Sequence, residues 1–365
     1  MKKTLYVSPN GFIGGAEKIL MQIADLHFHK DESKVLVLTF NPGPVTSTLE
    51  IKNIPNICLK NSFHLSSPLK LIRAMKEIRS IVSSNKIEIV HSTMAYGHLV
   101  MSLATFGMKV KRVWFQHGPV DGLLDKIASL FPVNSILFNS KYLLELHDNS
   151  NKLQFPASKY IIPLGIAQPQ LFTHAEGPLL RFVLIGRLSP MKGFDKVLKA
   201  LCVLKLKNPE VFKKINVRIV GEANFPHEKI YRETLLALAR DLGQTVEFLP
   251  FQNDMSGIYT SSDILIQPSL KGEGFGLVLA EAMSYGLLVV GPDYGGGTQI
   301  LTNHKTGLTF NFKDSSIDEL EIFLTDLIIN FKNLSELQKN GQTLIAKNYT
   351  NCHMIKEVLN TYEQL

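Results

Sequence analysis

DILIQPSLKGEGFGLVLAEAMSYGLLVVGPDYGGG, residues 263–297, reads as a strand, a loop, a helix, a second strand and a glycine-rich loop. The apolar runs at 264–267 and 287–290 are typical of short buried parallel strands. Between them lies a helical apolar pattern that ends at Gly286. In open parallel sheets, ligands bind at loops beyond the carboxyl ends of strands, so we expect the loop that carries Glu273 to bind one.

Two glutamates mark this segment. Glu273 lies among glycines just before the predicted helix, and Glu281 lies inside it. Glutamates are common on helix surfaces and are favoured near helix starts, which is the plain explanation for both. Glu281, however, interrupts an apolar helix and needs a hydrogen-bond partner if it is buried. Two carboxylates beside bare backbone amides suit a polyhydroxylated, phosphorylated ligand.

The composition is that of a folded protein with two domains. The 365 residues are 45% hydrophobic, which is enough for two cores. Three scattered cysteines, Cys58, Cys202 and Cys352, lack metal-ligand spacing and favour a reducing compartment. The first apolar run ends at Pro9, so it predicts a strand rather than a signal peptide. No run reaches the roughly 18 uncharged residues of a membrane-spanning helix, and we expect a cytoplasmic protein.

Positive charge is concentrated in the first half of the chain. Residues 1–170 contain 19 Lys and Arg against 11 Asp and Glu, a net charge of +8, whereas the remainder has a net charge of −1. A solvated surface with ordinary scatter explains this as well as an acidic partner does. The acidic partner would be an anionic membrane surface, which places the protein peripherally on the inner face of the cytoplasmic membrane, or a lipid-phosphate-bearing acceptor. Nucleic acid is not favoured, since the lysines do not alternate with aromatic residues.

Strands and helices alternate in both halves. The first half predicts strands at 5–8, 34–40, 87–91, 112–116, 135–138 and 160–162, with helices at 16–29, 69–82, from 98 and from 140. The second half predicts strands at 180–185, 216–220, 246–249, 264–267 and 288–291, with helices at 194–205, 230–242, 276–285, 317–331, 335–347 and 351–365. Residues 163–178, rich in Pro and Gly, read as a linker. We therefore expect an α/β protein with two Rossmann-like, doubly wound parallel-sheet domains that face each other across a cleft.

The pattern PS…EGFGLVLAEAM…G…VV…GG at 268–297 resembles the signature of the retaining glycosyltransferases of the GT-B fold, group 1 or family 4-like. This class includes glycogen synthases and many bacterial mannosyl- and glucosyltransferases. The resemblance covers nearly the whole second domain, but only the glycine loop, His117 and the region of Ser140 in the first. One residue more than is common in the family separates Ser269 from Glu273.

The resemblance implies the domain limits and the reaction. Residues 1–165 form an acceptor-binding domain, residues 178–349 form a nucleotide-sugar donor domain, and the helix at 350–365 packs back on the first. A sugar moves from a UDP-sugar or GDP-sugar to the hydroxyl of a saccharide or lipid-linked saccharide, with no metal and no other cofactor, in bacterial cell-surface polysaccharide or lipopolysaccharide biosynthesis. The alternatives are a GT-B sugar-nucleotide epimerase, a phosphorylase, or a non-catalytic subunit that binds sugar nucleotides.

Two cations follow the first strand of the second domain. Arg187 and Lys192 flank a loop that Gly186 allows to turn closely. An isolated pair of cations is most often solvated. At this position, before a helix, a guanidinium and an ammonium favour a diphosphate. The resemblance gives both a catalytic role, the neutralisation of the leaving nucleoside diphosphate. It also assigns Gly186, Gly221 and Glu222 to the nucleotide site.

The resemblance also assigns the glutamates of the opening stretch. Glu273 is catalytic and lies beside the donor sugar, where it orients the ring or stabilises positive charge. Glu281 accepts from the ribose hydroxyls. The remaining donor-binding residues are the four that lead into the helix: Gly274, Phe275, Gly276 and Leu277.

The first domain offers a glycine loop and a histidine. The run GFIGGAE at 11–17 is either a tight turn or a set of amides for a phosphate or sugar oxygen, and its spacing is not the dinucleotide fingerprint. The resemblance assigns Gly14, Gly15 and Glu17 to the acceptor, with Gly15 also near the donor. A lone histidine is most often structural. The resemblance makes His117, at a strand end beside Gly118, catalytic and places it near the donor sugar.

Overall fold

The computed structural model describes residues 1–120, 122–151, 153–167, 177–252 and 254–365. These form two compact units, one of Met1–Gly165 with Asn351–Leu365 and one of Ile166–Thr350. Each unit has its own sheet and core. Most of the predicted linker, residues 168–176, lies outside the described residues.

Among the described residues of the first unit, seven strands form one parallel sheet. They are β1 Thr4–Ser8, β2 Val35–Thr39, β3 Asn56–Cys58, β4 Ile89–Thr93, β5 Lys111–Gln116, β6 Ser135–Phe138 and β7 Ser158–Ile161. The helices are α1 Gly15–Phe28, α2 Pro44–Ile51, α3 Pro68–Ser84, α4 Met94–Ala104, α5 Leu123–Ala128 and α6 Lys141–Ser150. The strand order is β3-β2-β1-β4-β5-β6-β7.

The central strands of this sheet are buried, as is typical of a parallel sheet with helices on both faces. Every residue of β1, β2 and β4 is buried. Leu5 and Val7 pack with Ile78 of α3 in one core. Trp114 of β5 and Leu143 of α6 belong to another. The doubly wound arrangement predicted from the alternation of strands and helices is confirmed.

The described part of the second unit contains a six-stranded parallel sheet. Its strands are β8 Leu180–Ile185, β9 Ile215–Val220, β10 Val246–Leu249, β11 Ile264–Ile266, β12 Leu288–Gly291 and β13 Leu308–Thr309. The helices are α7 Phe194–Lys207, α8 Pro209–Phe212, α9 Pro226–Leu242, α10 Ser256–Thr260, α11 Leu277–Ser284, α12 Ile317–Asn330 and α13 Ser335–Asn348. The strand order is β10-β9-β8-β11-β12-β13.

The last helix, α14 Asn351–Glu363, belongs to the first unit and packs against α1. Its Tyr362 is buried, and the Tyr362 hydroxyl is hydrogen bonded to Nδ1 of His91 at 2.6 Å. The same hydroxyl donates to the Tyr6 hydroxyl at 3.3 Å, and the Tyr6 hydroxyl is hydrogen bonded to Nδ1 of His27 at 2.9 Å. A buried chain of polar groups therefore attaches this helix to β1, β4 and α1.

Several elements were not predicted from the sequence, or were predicted with the wrong limits. The strands β3 and β13 are edge strands of three and two residues, too short to show an apolar run. Helix α4 begins at Met94 rather than at 98, because Met94 turns the chain directly out of β4 with a φ of 59° and no loop intervenes. Helix α9 begins at Pro226 rather than at 230. Helices α2 and α5 are short and were missed.

Candidate functional site

The second unit has a topological switch point between β8 and β11. From β8 the chain proceeds through β9 to β10 on one side, and from β11 through β12 to β13 on the other. The loops after β8 and β11 therefore leave the same edge of the sheet side by side, the position where open α/β sheets bind ligands. These loops contain Arg187, Lys192 and Glu273.

Lys192 and Glu273 meet across this switch point. Nζ of Lys192 donates to Oε1 of Glu273 at 2.5 Å. The same oxygen accepts from Nε2 of Gln267 at 2.5 Å and from Oγ of Ser269 at 2.7 Å. Both charged side chains are 24% exposed, so the pair is partly accessible from solvent. Three donors hold one carboxylate oxygen in place.

The surroundings of Glu273 act on its pKa in opposite directions. Burial disfavours the charged form and raises the pKa. The charge of Lys192 and the hydrogen bonds from Lys192, Ser269 and Gln267 lower it. The charge of Lys192 and the three hydrogen bonds outweigh burial, so the pKa of Glu273 lies below the ordinary value of 4.5. Glu273 is therefore ionised at neutral pH.

Backbone contacts hold these loops together. The N–H of Leu270 donates to the carbonyl of Met191 at 2.8 Å, which joins the loop after β11 to the loop after β8. Gly193, at a φ of 66°, approaches Pro268 so closely that an added Cβ would lie 2.2 Å from its carbonyl oxygen. The stem of Lys192 passes over Gly186, where an added Cβ would lie 3.3 Å from Cε of Lys192.

Arg187, the other cation predicted for the diphosphate, is paired with a residue of α9. Its Nη1 donates to Oε1 of Glu228 at 2.9 Å. The Glu228 side chain has no solvent exposure, whereas the Arg187 side chain is 59% exposed. A buried carboxylate of α9 therefore holds an arginine whose other donors face solvent.

Gly221 and Glu222 follow β9, as predicted, and line a cavity. The cavity has a volume of about 490 Å³. Its walls come from the ends of β9 and β10 and from α9, and its lining residues are Leu188, Gly221, Glu222, Ala223, Lys229, Arg232, Glu233, Phe248, Leu249 and Pro250. The N–H of Leu188 donates to the carbonyl of Glu222 at 2.9 Å, so the cavity adjoins the loop of Arg187.

Glu281 lies in the second half of α11 and is half-buried. Its Oε2 accepts from the hydroxyl of Tyr259 at 2.8 Å. The ring of Tyr259 also stacks on Tyr285, with centroids 5.1 Å apart. Burial raises the pKa of the Tyr259 hydroxyl well above 10, and the charge of Glu281 raises it further, so this hydroxyl stays a donor. The partner that the sequence requires for Glu281 is thus a buried tyrosine of α10.

The four residues Gly274–Leu277 form the entry to α11. Phe275 is 3% exposed and packs edge-on against Tyr349, with centroids 5.8 Å apart. Gly276 precedes the helix in the left-handed conformation, at a φ of 88°. The N–H groups in the first turn of a helix have no carbonyl partner within that helix, and such groups suit a phosphate.

The glycine loop of the first unit leads into α1. Glu17 is 3% exposed and accepts from Nδ2 of Asn10 at 2.7 Å and from the N–H of Gly14 at 3.2 Å. Glu17 therefore caps α1 and braces the loop. No described atom lies within 4 Å of the position of an added Cβ at Gly15, so a ligand could approach the backbone there.

His117 follows β5 directly. Its ring packs against Phe115, with centroids 4.1 Å apart. Both ring nitrogens are buried and make no hydrogen bond to the residues that the structure describes. Burial lowers the pKa of His117 to about 3, so the ring is neutral at neutral pH and has one N–H and one acceptor nitrogen to offer.

Four residues of this site were missed in the sequence: Gln267, Ser269, Glu228 and Tyr259. A helix-start signal is present at α9, with Pro226 at the first helical position and Glu228 at the third. This signal predicts that α9 begins at Pro226 and that Glu228 lies in its first turn. Ser269 belongs to the recognised pattern at 268–297 without a role assigned to it, and Gln267 carried no local signal. Neither did Tyr259, which lies 22 residues from its partner.

Neither a metal-ligand cluster nor a membrane-spanning helix is present among the described residues. No group of three or more His, Cys, Asp or Glu side chains in this part of the chain is placed to hold a metal ion. Within the same residues, none of the helices has both the length and the apolar character needed to cross a membrane.

Known proteins resemble this chain in sequence and fold. The family profile described as "Glycosyl transferases group 1" matches residues 174–344. An uncharacterized glycosyltransferase of Haemophilus influenzae is 25% identical over 354 residues, or 96% of each chain. The D-inositol 3-phosphate glycosyltransferase of Salinispora arenicola is 30% identical over 158 residues, which are 42% of this chain and 34% of that protein.

A solved structure extends the likeness to the whole fold. The crystal structure of Anabaena Alr3699/HepE in complex with UDP and glucose matches with a TM-score of 0.82 over all of both chains, at 20% sequence identity. This likeness shows the fold, and the family predicted from residues 268–297 is confirmed. The chain has the GT-B fold, and residues 174–344 of its second unit match the profile of the group 1 glycosyltransferases.

Proposed function

We propose that this glycosyltransferase moves a sugar, with retention of anomeric configuration, from a nucleoside diphosphate sugar to an acceptor hydroxyl. The observation that carries the proposal is the Lys192–Glu273 pair at the switch point of the second unit. A cation for the diphosphate and an ionised carboxylate for the sugar lie together where a ligand is expected to bind. The UDP and glucose bound by the Anabaena neighbour support this choice of donor.

Lys192 and Arg187 neutralise the departing diphosphate. The bond from the anomeric carbon to the diphosphate oxygen breaks, and negative charge grows on that oxygen. An ammonium and a guanidinium stabilise this charge, so we propose that the reaction needs neither a metal nor another cofactor. The N–H groups at the start of α11, from Gly274 to Leu277, are additional donors to the phosphates.

The acceptor hydroxyl attacks from the face that the diphosphate leaves. The new bond forms from the acceptor oxygen to the anomeric carbon, and the acceptor proton passes to the diphosphate. Glu273, which stays ionised, stabilises positive charge on the sugar ring as the old bond breaks. Three donors already hold Glu273, so it is positioned before the substrate arrives. We propose neutral His117 as the contribution of the first unit to donor-sugar binding.

Glu281 binds the nucleoside. Vicinal ribose hydroxyls are donors that match its carboxylate, and Tyr259 fixes the orientation of that carboxylate. The cavity beside the loop of Arg187, lined by Gly221 and Glu222, accepts other parts of the nucleotide. A UDP-sugar or a GDP-sugar fits this proposal.

The acceptor is proposed to be a saccharide or a lipid-linked saccharide in bacterial cell-surface polysaccharide or lipopolysaccharide biosynthesis. Gly14 and Gly15 present backbone to it. Glu17, which caps α1, acts on the acceptor through the loop it braces. The similarity to a bacterial glycosyltransferase along nearly the whole chain supports a bacterial pathway.

We propose that the protein is cytoplasmic and associates with the inner face of the cytoplasmic membrane. Residues 1–170 have a net charge of +8. Helix α3 exposes Leu69 and Ile72 beside the exposed cations Lys70, Arg73 and Lys76. Sedimentation with phosphatidylglycerol vesicles, but not with phosphatidylcholine vesicles, is the expected result. Equal recovery in the supernatant with both would contradict this location.

The donor assignment is tested by calorimetry against UDP, GDP, ADP and their sugars. Arg187→Ala and Lys192→Ala should each weaken binding of the preferred diphosphate about 10- to 100-fold, the effect of losing a hydrogen bond to a charged group. Lys339→Ala, an exposed lysine of α13, is the matched control and should not change affinity. No binding of any of the nucleotides or their sugars would overturn the donor assignment.

The reaction class is tested separately with the preferred sugar nucleotide. Incubation without an acceptor should leave the sugar nucleotide as a single isomer. Appearance of a second isomer would indicate the epimerase. With an acceptor, NMR of the anomeric proton should show the configuration of the donor in the product, and the opposite configuration would overturn the retaining assignment.

A further inference from the structure

We propose that Glu228 is a positioning residue that holds Arg187 ready for the donor diphosphate and links it to the neighbouring cavity. The inference rests on the proposed function, since it takes Arg187 to contact the diphosphate. Glu228 lies outside the motifs recognised in the sequence.

Glu228 uses its two carboxylate oxygens in two directions. Oε1 accepts from Nη1 of Arg187 at 2.9 Å. Oε2 accepts from the backbone N–H groups of Asn224 and Phe225 at 2.9 and 3.3 Å. One buried group thus connects an exposed cation to the loop that follows β9.

That loop forms part of the cavity wall. Glu222 and Ala223 line the cavity, and so do Lys229 and Arg232, which follow Glu228 on α9. A displacement of Glu228 would therefore move both the Arg187 guanidinium and the cavity wall. The cavity and the cation are coupled through one carboxylate.

The burial of Glu228 restrains the Arg187 side chain. A buried carboxylate that loses its cation becomes an uncompensated charge, which is strongly unfavourable. Arg187 is therefore restricted to conformations that keep the pair. An exposed arginine otherwise samples many rotamers, and ordering it on binding reduces affinity. A guanidinium has five N–H donors, so those not used by Glu228 remain for the diphosphate.

A double-mutant cycle on the full chain tests this role. The variants are Glu228→Gln, Arg187→Ala and the double variant, with UDP or GDP affinity measured by calorimetry. A glutamine side chain has one acceptor oxygen and cannot serve both Arg187 and the loop amides. Glu228→Gln should weaken binding about three- to tenfold, and the double variant should bind no more weakly than Arg187→Ala alone. Asp241→Asn, an exposed residue near the end of α9, is the control and should match the parent.

The cycle separates positioning from folding. Equal weakening by Glu228→Gln in the presence and absence of Arg187 would mean a structural role only and would overturn the inference, as would parent-like affinity of Glu228→Gln. Unchanged affinity of Arg187→Ala would instead overturn the proposed role of Arg187. If Glu228→Gln does not fold, Glu228→Asp serves in its place, because it keeps the charge and withdraws the oxygen from Arg187. The same non-additivity is expected, and additive losses would overturn the inference.

Discussion

Nζ of Lys192 lies 2.5 Å from Oε1 of Glu273, although 81 residues separate them in the chain. The contact joins the loops that leave two adjacent parallel strands at their carboxyl ends. It brings the cation and the carboxylate of the proposed reaction into one hydrogen-bonded group, together with Gln267 and Ser269.

The Lys192–Glu273 pair should stabilise the folded protein less as the pH is lowered. The pKa of Glu273 is lower in the folded protein than its ordinary value of 4.5. Its contribution to stability is therefore complete above 4.5 and is lost as the pH falls through the lower folded value. The difference in Tm between the parent and Glu273→Gln should shrink as the pH is lowered from 6 to 3.5. In Lys192→Met, the pKa of Glu273 should rise, because the neighbouring positive charge is lost. The pairing would be refuted if the difference in Tm between the parent and Glu273→Gln did not change with pH.

Glu281 and Tyr259 should affect nucleoside binding to different extents. Glu281→Ala removes the proposed acceptor of the ribose hydroxyls and should weaken UDP or GDP binding about 10- to 100-fold. Tyr259→Phe removes only the hydroxyl that orients Glu281 and should weaken binding about threefold to tenfold. Calorimetry with nucleoside diphosphates measures both. If Glu281→Ala binds as tightly as the parent, the ribose assignment is wrong.

Gly295 should be intolerant of any side chain. It has a φ of 87° and a ψ of −177°, a region open essentially to glycine alone. An added Cβ would lie 2.7 Å from Cα of Gly272 and 2.9 Å from N of Glu273. Gly295→Ala should lower stability by about 1–3 kcal/mol from backbone strain and displace Glu273. Gly257→Ala is the control, since no described atom lies within 4 Å of its added Cβ. Urea unfolding should separate the two variants, and equal stability would contradict the prediction.

Three buried histidines should destabilise the first unit in acid. Burial lowers the pKa of His27 to about 4 and those of His91 and His98 to about 3, against an ordinary value of 6.5. At pH values between the folded pKa and the ordinary pKa, the unfolded chain binds more protons than the folded protein does. The free energy of unfolding therefore falls as the pH is lowered below about 6.5. Each histidine should contribute about 1.4 kcal/mol per pH unit between pH 4 and 6.5.

Urea unfolding from pH 7 to pH 5 measures this slope. His98→Gln should reduce this slope by the contribution of about one proton. His64→Gln, at an exposed position, is the control and should leave the slope unchanged. A parent slope near zero would show that these histidines are protonated in the folded state.

Elements with a strong local pattern were predicted correctly. Residues 264–291 were expected to form a strand, a loop, a helix and a strand, and they are β11, α11 and β12 with small shifts of their ends. Such patterns come from side chains a few residues apart and are therefore visible in the sequence. The start of α9 has a local pattern as well, with Pro226 at the first helical position and Glu228 at the third.

The amino-acid order was sufficient for the α/β class, the strand and helix alternation and the family, because apolar periodicity and the spacing of Gly, Pro and Glu are local properties. Partners of the charged groups depended on the tertiary structure. Arg187 pairs with Glu228 across 41 residues, Lys192 with Glu273 across 81, and Tyr259 with Glu281 across 22. The order of strands in the sheet brings the loops of Arg187, Lys192 and Glu273 to one edge, and strand order results from the packing of distant segments rather than from any local pattern.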